Sequence, residues 1–257
     1  MQPKPSQPKP LQSHGLADAS GMPDLFASAP EPDSAIGAAG HRMRMRQRLL
    51  RGGPDALADH EMLEMALFLA LPRRDTKPVA RALLARFGDF AAVIGAPSAE
   101  LLMVPDLGEA GVAALKLVQA AAARLLKQKL AEAPVLSDSP GVLDYLRAVM
   151  GQERVEQFRI LFLNNRNRLL ADEVQSRGSV AHAPAYPREV VRRALELNAT
   201  ALILAHNHPS GDPTPSREDV AMTQDIQRAA ATMGIVVHDH IVVGRTRCVS
   251  LRAARLL

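Results

Sequence analysis

The run Ala201-Leu202-Ile203-Leu204-Ala205 constrains this chain more than any other segment, because it is apolar throughout and stops at His206-Asn207-His208-Pro209-Ser210-Gly211. It is far too short to cross a bilayer, which takes about 20 apolar residues. It also lacks the polar alternation of a strand with one wet face. A short, continuously apolar run of this kind fits a central strand covered on both faces. Such a strand needs partners, and they can be read nearby. Phe158–Leu163 reads as a strand, Asn164-Asn165-Arg166-Asn167 as a hairpin turn, Arg168–Gln175 as the returning strand and Ile235–Val243 as a final strand. Helical patterns lie between them. Ser139–Met150 has Pro140 in its first turn, Pro187–Leu197 carries Val190, Val191, Ala194 and Leu195 on one side, and Arg217–Met233 ends at Gly234. Strands alternating with helices predict an α/β layer fold.

Upstream of Pro134 the pattern is helical, from about His41 to Glu132. Arg42, Arg44, Arg46, Arg48 and Arg51 crowd the first stretch with no acidic residue among them. Asp59 is expected as the N-cap of the helix that follows, with Glu61 near its positive end. Pro78–Phe87 repeats Val79, Leu83, Leu84 and Phe87 at helical spacing, Ser98 is expected to cap a short helix to Met103, and Gly111–Leu130 reads as a long Ala-rich helix. Residues 1–39 are rich in Pro, Ser, Gly and Ala and poor in large apolar side chains. Ordering them would cost more entropy than burial returns, so a disordered leader is expected. The expected organisation is a leader over 1–39, a helical domain over 40–132 and an α/β domain over 135–257.

Composition removes several function classes. One cysteine, Cys248, excludes an intrachain disulfide framework and a Cys-rich zinc site. Aromatic residues make up 3% of the chain and Trp is absent, so a surface built on stacked bases is disfavoured. A net charge of +4 permits contact with nucleic acid without demanding it. No apolar run approaches a membrane span and no signal sequence opens the chain, so a cytoplasmic protein with no membrane partner is expected.

The strand 201–205 delivers His206 and His208. Side chains two apart on an extended chain face the same way, so these imidazoles can share one metal ion. Asp219 lies on the first turn of the next predicted helix, with Thr214 and Ser216 as candidate caps. Two His and one carboxylate leave a fourth position open, as catalytic zinc sites require. Ser216, three residues before Asp219, could hydrogen-bond to water or to a developing oxyanion. A bare His-x-His pair is also compatible with a loop whose histidines only hydrogen-bond or cap a helix.

His206-x-His208-x10-Asp219 with Ser216 resembles the JAMM (MPN-plus) metalloprotease motif. The segments Tyr186–Val191, Leu204–Pro213, Pro215–Asp219 and Asp239–Gly244 resemble the RadC (UPF0758) family, and the likeness runs over about residues 41 to 257. It implies a JAMM α/β domain of the cytidine-deaminase-like class, preceded by a small all-α domain with a helix-hairpin-helix-like element. It also implies one Zn2+ per chain on His206, His208 and Asp219, and cleavage of a peptide or isopeptide bond in a protein or peptide substrate. The JAMM pattern places a Glu just before the first core strand, which here is Glu156, as general base and carrier of the proton to the leaving amine. Glu173 on the returning strand is the rival. Ser216 would steady the oxyanion.

Other residues invite roles. His238, Asp239 and His240 could form a second metal cluster, orient neighbours on a core strand, or support the zinc ligands from behind. His182 reads as an exposed loop residue, Arg188 and Glu189 as a helix start with a substrate-facing alternative, and Cys248 as a small buried residue. Val104-Pro105-Asp106-Leu107-Gly108-Glu109-Ala110-Gly111 resembles the hairpin of a helix-hairpin-helix element, which offers backbone N–H groups to DNA phosphates. Asp106 stands where that pattern has Gly, and Glu109 adds a second negative charge. The RadC name carries a DNA-repair association, so the alternative function is a DNA-associated accessory protein whose zinc domain is a scaffold. A His-Asn-His nuclease is disfavoured, because that motif uses dispersed residues.

Overall fold

The computed structural model describes residues 38–132, 134–135, 140–178 and 185–257. The leader expected over 1–39 lies outside them apart from Ala38 and Ala39, and His182 and Ser139, the expected first residue of a helix, lie outside them too. Among the described residues seven α-helices come first: α1 (Ala38–Gly52), α2 (Asp59–Leu67), α3 (Lys77–Phe87), α4 (Phe90–Gly95), α5 (Ser98–Leu101), α6 (Gly108–Glu132) and α7 (Pro140–Met150). There follow β1 (Gln157–Leu163), β2 (Leu169–Arg177), α8 (Pro187–Glu196), β3 (Ala201–Asn207), α9 (Arg217–Ala231), β4 (Val236–Val243) and β5 (Cys248–Ser250). Among the described residues no helix is long and apolar enough to cross a membrane.

The first helices close over Leu63, Leu67, Leu83, Val93, Leu107 and Leu115. Two expected caps prove to be first-turn residues instead. Ala58, not Asp59, precedes α2, and the Glu61 carboxylate accepts its N–H at 3.1 Å. Asp59 is thereby free to accept the Phe90 N–H at 3.2 Å, joining α2 to α4. Ser98 begins α5, with Pro97 at the cap position. Arg42, the first of the crowded arginines, is half-buried. It donates to the carbonyls of Leu71 and Arg74 at 2.7 and 2.6 Å and covers the Phe68 ring, bracing the turns that follow α2.

The α/β expectation is met by a five-stranded sheet in the order β2-β1-β3-β4-β5. Strand β3 is central and buried at all seven positions. It runs antiparallel to β1 and parallel to β4, while β2 and β5 are antiparallel edge strands. Alternation sorts the side chains into two cores. Leu161, Leu163, Ala201, Ile203 and Ala205 pack with Val142, Leu146 and Met150 of α7. Phe158, Ile160, Phe162, Leu202 and Leu204 pack with Val190 and Ala194 of α8 and Ile226 and Ala230 of α9. His206 continues the even-numbered set and therefore faces the α9 layer.

Strand β4 changes faces partway along. Leu202 pairs with Val237, but Ile203 pairs with Asp239, leaving His238 as an inserted residue. An extra residue reverses the parity of everything after it. Val237 and, three positions on, His240 thus both face the α9 layer, whereas Ile241 and Val243 face α7.

Candidate metal centre

Strand β3 ends with its ladder extended by one loop bond, His208 N–H to the Val243 carbonyl at 3.0 Å, so His208 stays close to the sheet. Gly211 turns the chain at φ +88, a backbone region where a side chain would be strained. Helix α9 then starts at a reciprocal cap. Ser216 Oγ accepts the Asp219 N–H at 3.0 Å, and the Asp219 carboxylate accepts the Ser216 N–H at 2.7 Å. Asp219 is thus fixed at the helix end facing β3.

His206, His208 and Asp219 come together as a group able to hold a metal ion. Nε2 of His206 lies 2.9 Å from Nε2 of His208 and 3.2 Å from the Asp219 carboxylate, and Nε2 of His208 lies 3.5 Å from it. Ligands about 2.05 Å from a tetrahedral zinc stand about 3.3 Å from one another. The three separations bracket that edge, so the residues fit the ion.

The proton positions agree. His208 Nδ1 is 2.7 Å from the Asp212 carbonyl, which can only accept, so Nδ1 carries a proton and, whenever the ring is neutral, Nε2 offers its lone pair. Burial alone would raise the Asp219 carboxyl. Hydrogen bonds to His206 and His208, the charge of His206 and the Ser216 amide overcome this and hold it well below the usual carboxylate range. The Asp219 carboxylate, despite opposing burial, raises His208 above its ordinary value, helped by the Asp212 carbonyl and by the charge of Glu156. A bound cation would take the place of the imidazole protons between these side chains.

Glu156 stands immediately before β1, whose Phe158 pairs with His206, and its charge is felt at His208. Glu173 lies elsewhere. It pairs with Ile160, level with Leu204, and is held by Arg193 of α8 through contacts of 2.6 and 2.9 Å. Asn207, between the two histidines, is a residue whose part the motif alone does not disclose. Its Oδ1 accepts the Gln157 N–H at 3.0 Å and its Nδ2 donates to the carbonyls of Glu153 and Val155 at 3.2 and 3.3 Å. It clamps the segment carrying Glu156 on both sides. Ser216 Oγ is an acceptor in the cap, which leaves its own O–H to donate elsewhere.

Beside the loop, a cavity of about 330 Å³ is lined by Arg86, Pro97, Glu100, Glu153, Pro209 and Arg245, between the helical segment and the sheet. His238 turns away to Asn167 at 2.8 Å, and Asp239 accepts from Ser250 and from the N–H groups of His240 and Arg252. These two do not join His240 in a metal cluster. Arg188 is exposed and ion-paired with Glu189. Cys248 is half-buried, and burial pushes its thiol up to about 11. In the hairpin before α6, Asp106 adopts φ 64, the left-handed geometry that Gly usually supplies, and is ion-paired with Arg74.

Residues 136–256 match the family model described as the RadC-like JAB domain. A "UPF0758 protein" of Rhodobacter capsulatus is 55% identical over 213 residues, which is 83% of this chain and the whole of that relative. A JAB-type domain bearing a His-His-Asp group fits a metallohydrolase. With that identity running across most of its length, the chain belongs to the UPF0758 family and carries a RadC-like JAB domain.

Proposed function

We propose that this protein is a cytoplasmic zinc-dependent peptidase of the JAMM type, cleaving a peptide or isopeptide bond in a protein or peptide substrate. The observation that carries the reading is the convergence of His206, His208 and Asp219 at separations suited to one tetrahedral ion. When bound, zinc supplies Lewis acidity toward a carbonyl and acidifies water. The chain's own groups do the rest. Glu156, on the clamped segment before β1, takes the proton of the attacking water and returns it to the leaving amine. Ser216 donates its remaining O–H to the oxygen that becomes negative. The cavity between Arg86 and Arg245 receives one side of the substrate next to the metal loop.

The test is metal analysis together with hydrolysis of peptide and isopeptide substrates. The wild-type chain should carry about one zinc, while His206→Ala and Asp219→Ala should lose it. Glu156→Gln should keep both metal and fold while its rate falls by about 10²–10⁴-fold. Zinc retained in full by both ligand variants refutes the assignment.

A second reading, a DNA-associated accessory protein with a scaffold-type zinc domain, draws on the proposed helical domain over 40–132. Exposed Arg44 and Arg51 line a shallow cavity of about 490 Å³ beside α1. Arg48 is committed to Glu61, and Asp106 and Glu109 weaken the hairpin as a phosphate site. That reading requires DNA binding that falls steeply with salt and survives His206→Ala.

A further inference from the structure

Behind the three ligands lies a hydrogen-bonded chain that the motif does not include. His206 Nδ1 is 2.8 Å from His240 Nε2, His240 Nδ1 is 2.5 Å from Thr223 Oγ1, and Thr223 Oγ1 is 2.5 Å from the Asp219 backbone carbonyl. Thr223 and His240 are wholly buried, so no water intervenes to satisfy these atoms differently.

The direction of every proton follows from one end. The Asp219 carbonyl can only accept, so the single Thr223 proton points at it. Thr223 Oγ1 must then accept from His240, which puts the His240 proton on Nδ1. The His240 ring nitrogens hydrogen-bond to Thr223 and His206, neither of them an anion, in a fully buried place, so the ring holds that single proton. Its Nε2 is therefore a bare lone pair, and the proton between the two rings belongs to Nδ1 of His206. A neutral imidazole with Nδ1–H has its lone pair on Nε2, the atom that faces His208 and Asp219. The chain begins and ends on two of the three ligand residues.

We propose that Thr223 and His240 are positioning residues that lock His206 into its Nδ1–H tautomer, so that its Nε2 is presented unprotonated to the metal. This rests on the zinc reading of the site given above. Both residues reach their places by fold geometry. Thr223 is one helical turn beyond Asp219 on the same face of α9, and the residue inserted at His238 turns His240 toward α9. If Thr223 could not accept, His240 would hold its proton on Nε2 and donate it to His206. His206 would then carry its own proton on Nε2 and meet the ion with an N–H.

The test uses the full chain and two readouts. Zinc dissociation constants, measured by competition with a chromophoric chelator, should rise by about 10–100-fold in Thr223→Val and return to near wild type in Thr223→Ser. Valine keeps the shape, so circular dichroism should be unchanged. Long-range 1H–15N correlation of the histidine rings should place the His240 proton on Nδ1 in the wild type, with or without zinc. A His240 proton on Nε2, or wild-type zinc affinity in Thr223→Val, overturns the proposal. A wild-type chain that binds no zinc refutes the metal reading instead, and the His240 tautomer still decides the proton order.

Discussion

Replacing Asn207 by Ala removes three hydrogen bonds that join β3 to the segment carrying Glu156. The consequences are unequal. Gln157 is buried, so its N–H loses its partner with no water to replace it, at a cost of about 1–3 kcal/mol. Glu153 and Val155 are exposed, and their carbonyls can turn to solvent, so each bond is worth only about 0.5–1 kcal/mol. The total is about 2–5 kcal/mol. In a chain of this size that corresponds to a fall in Tm on the order of 5–20 °C. Urea denaturation gives the stability, and zinc analysis and peptide hydrolysis on the same samples give the function. Zinc should be retained, since no ligand is touched, while hydrolysis should fall with the loosened Glu156 segment. Asn207→Asp keeps the acceptor for Gln157 but turns a buried carboxylate toward two carbonyl oxygens, so it should be less stable than Asn207→Ala at neutral pH. An Asn207→Ala chain within about 0.5 kcal/mol of wild type, with undiminished hydrolysis, would refute the clamp.

Three further outcomes follow from the same structure. Asp172→Asn should cost about 3–5 kcal/mol in urea denaturation and leave zinc content unchanged, because it breaks a buried pair with Arg159 at 2.6 Å that also involves Tyr145 and Lys127. Burial would raise the Asp172 carboxyl, but Arg159, Tyr145 and Lys127 hold it below its ordinary value, so its stabilisation is present above about pH 4 and is lost as pH falls through the lowered value. Cys248, with its thiol pushed up to about 11, should react with a thiol reagent at pH 8 more slowly than the same thiol in urea, by about 100-fold or more. Ser216→Ala should cost about 1 kcal/mol of stability by loss of the cap and Ser216→Gly only a few tenths. Equal losses of hydrolysis in the two variants would assign the rate effect to the missing hydroxyl, and unequal losses tracking stability would assign it to the cap.

Most of the sheet could be read from the chain because β3 is apolar on both faces and its neighbours are long enough to show a pattern. Strand β5 was not legible, since three half-buried residues carry no period. The helices at Asp59 and Ser98 begin one residue before the sequence pattern places them, and at Asp59 the reason is local. Glu61 already covers the Ala58 N–H, so a polar side chain in the cap position is not needed there. In the candidate site, His206, His208 and Asp219 were legible because one strand end and one helix start bring them together within a short stretch. Glu156 lies fifty residues before His206, and only the family resemblance points to it. Thr223 had a signal in its spacing from Asp219. His240 had none, because an inserted residue in a parallel pair shifts parity without marking the sequence.

The order His-Asn-His follows from the pleat of the strand that carries it. A metal ion beside the end of β3 needs two ligands from one face, and residues 206 and 208 are the nearest pair that share one. The residue between them must then point to the other face, toward the layer of α7. The chain leaving α7 at Met150 passes there before it enters β1 with Glu156. A side chain at 207 is therefore placed to hold the proposed base but cannot bind the ion. An amide suits that position, since it must accept from one N–H and donate to two carbonyls at once. A carboxylate cannot donate, and a histidine is too short of acceptors and donors to serve all three. The even residue behind the site meets the opposite constraint. His206 points into the α9 layer, where burial forbids water, so its second nitrogen must be satisfied by another side chain, and His240 is turned there by the insertion at His238. One strand end thus divides ligand, clamp and support by face alone.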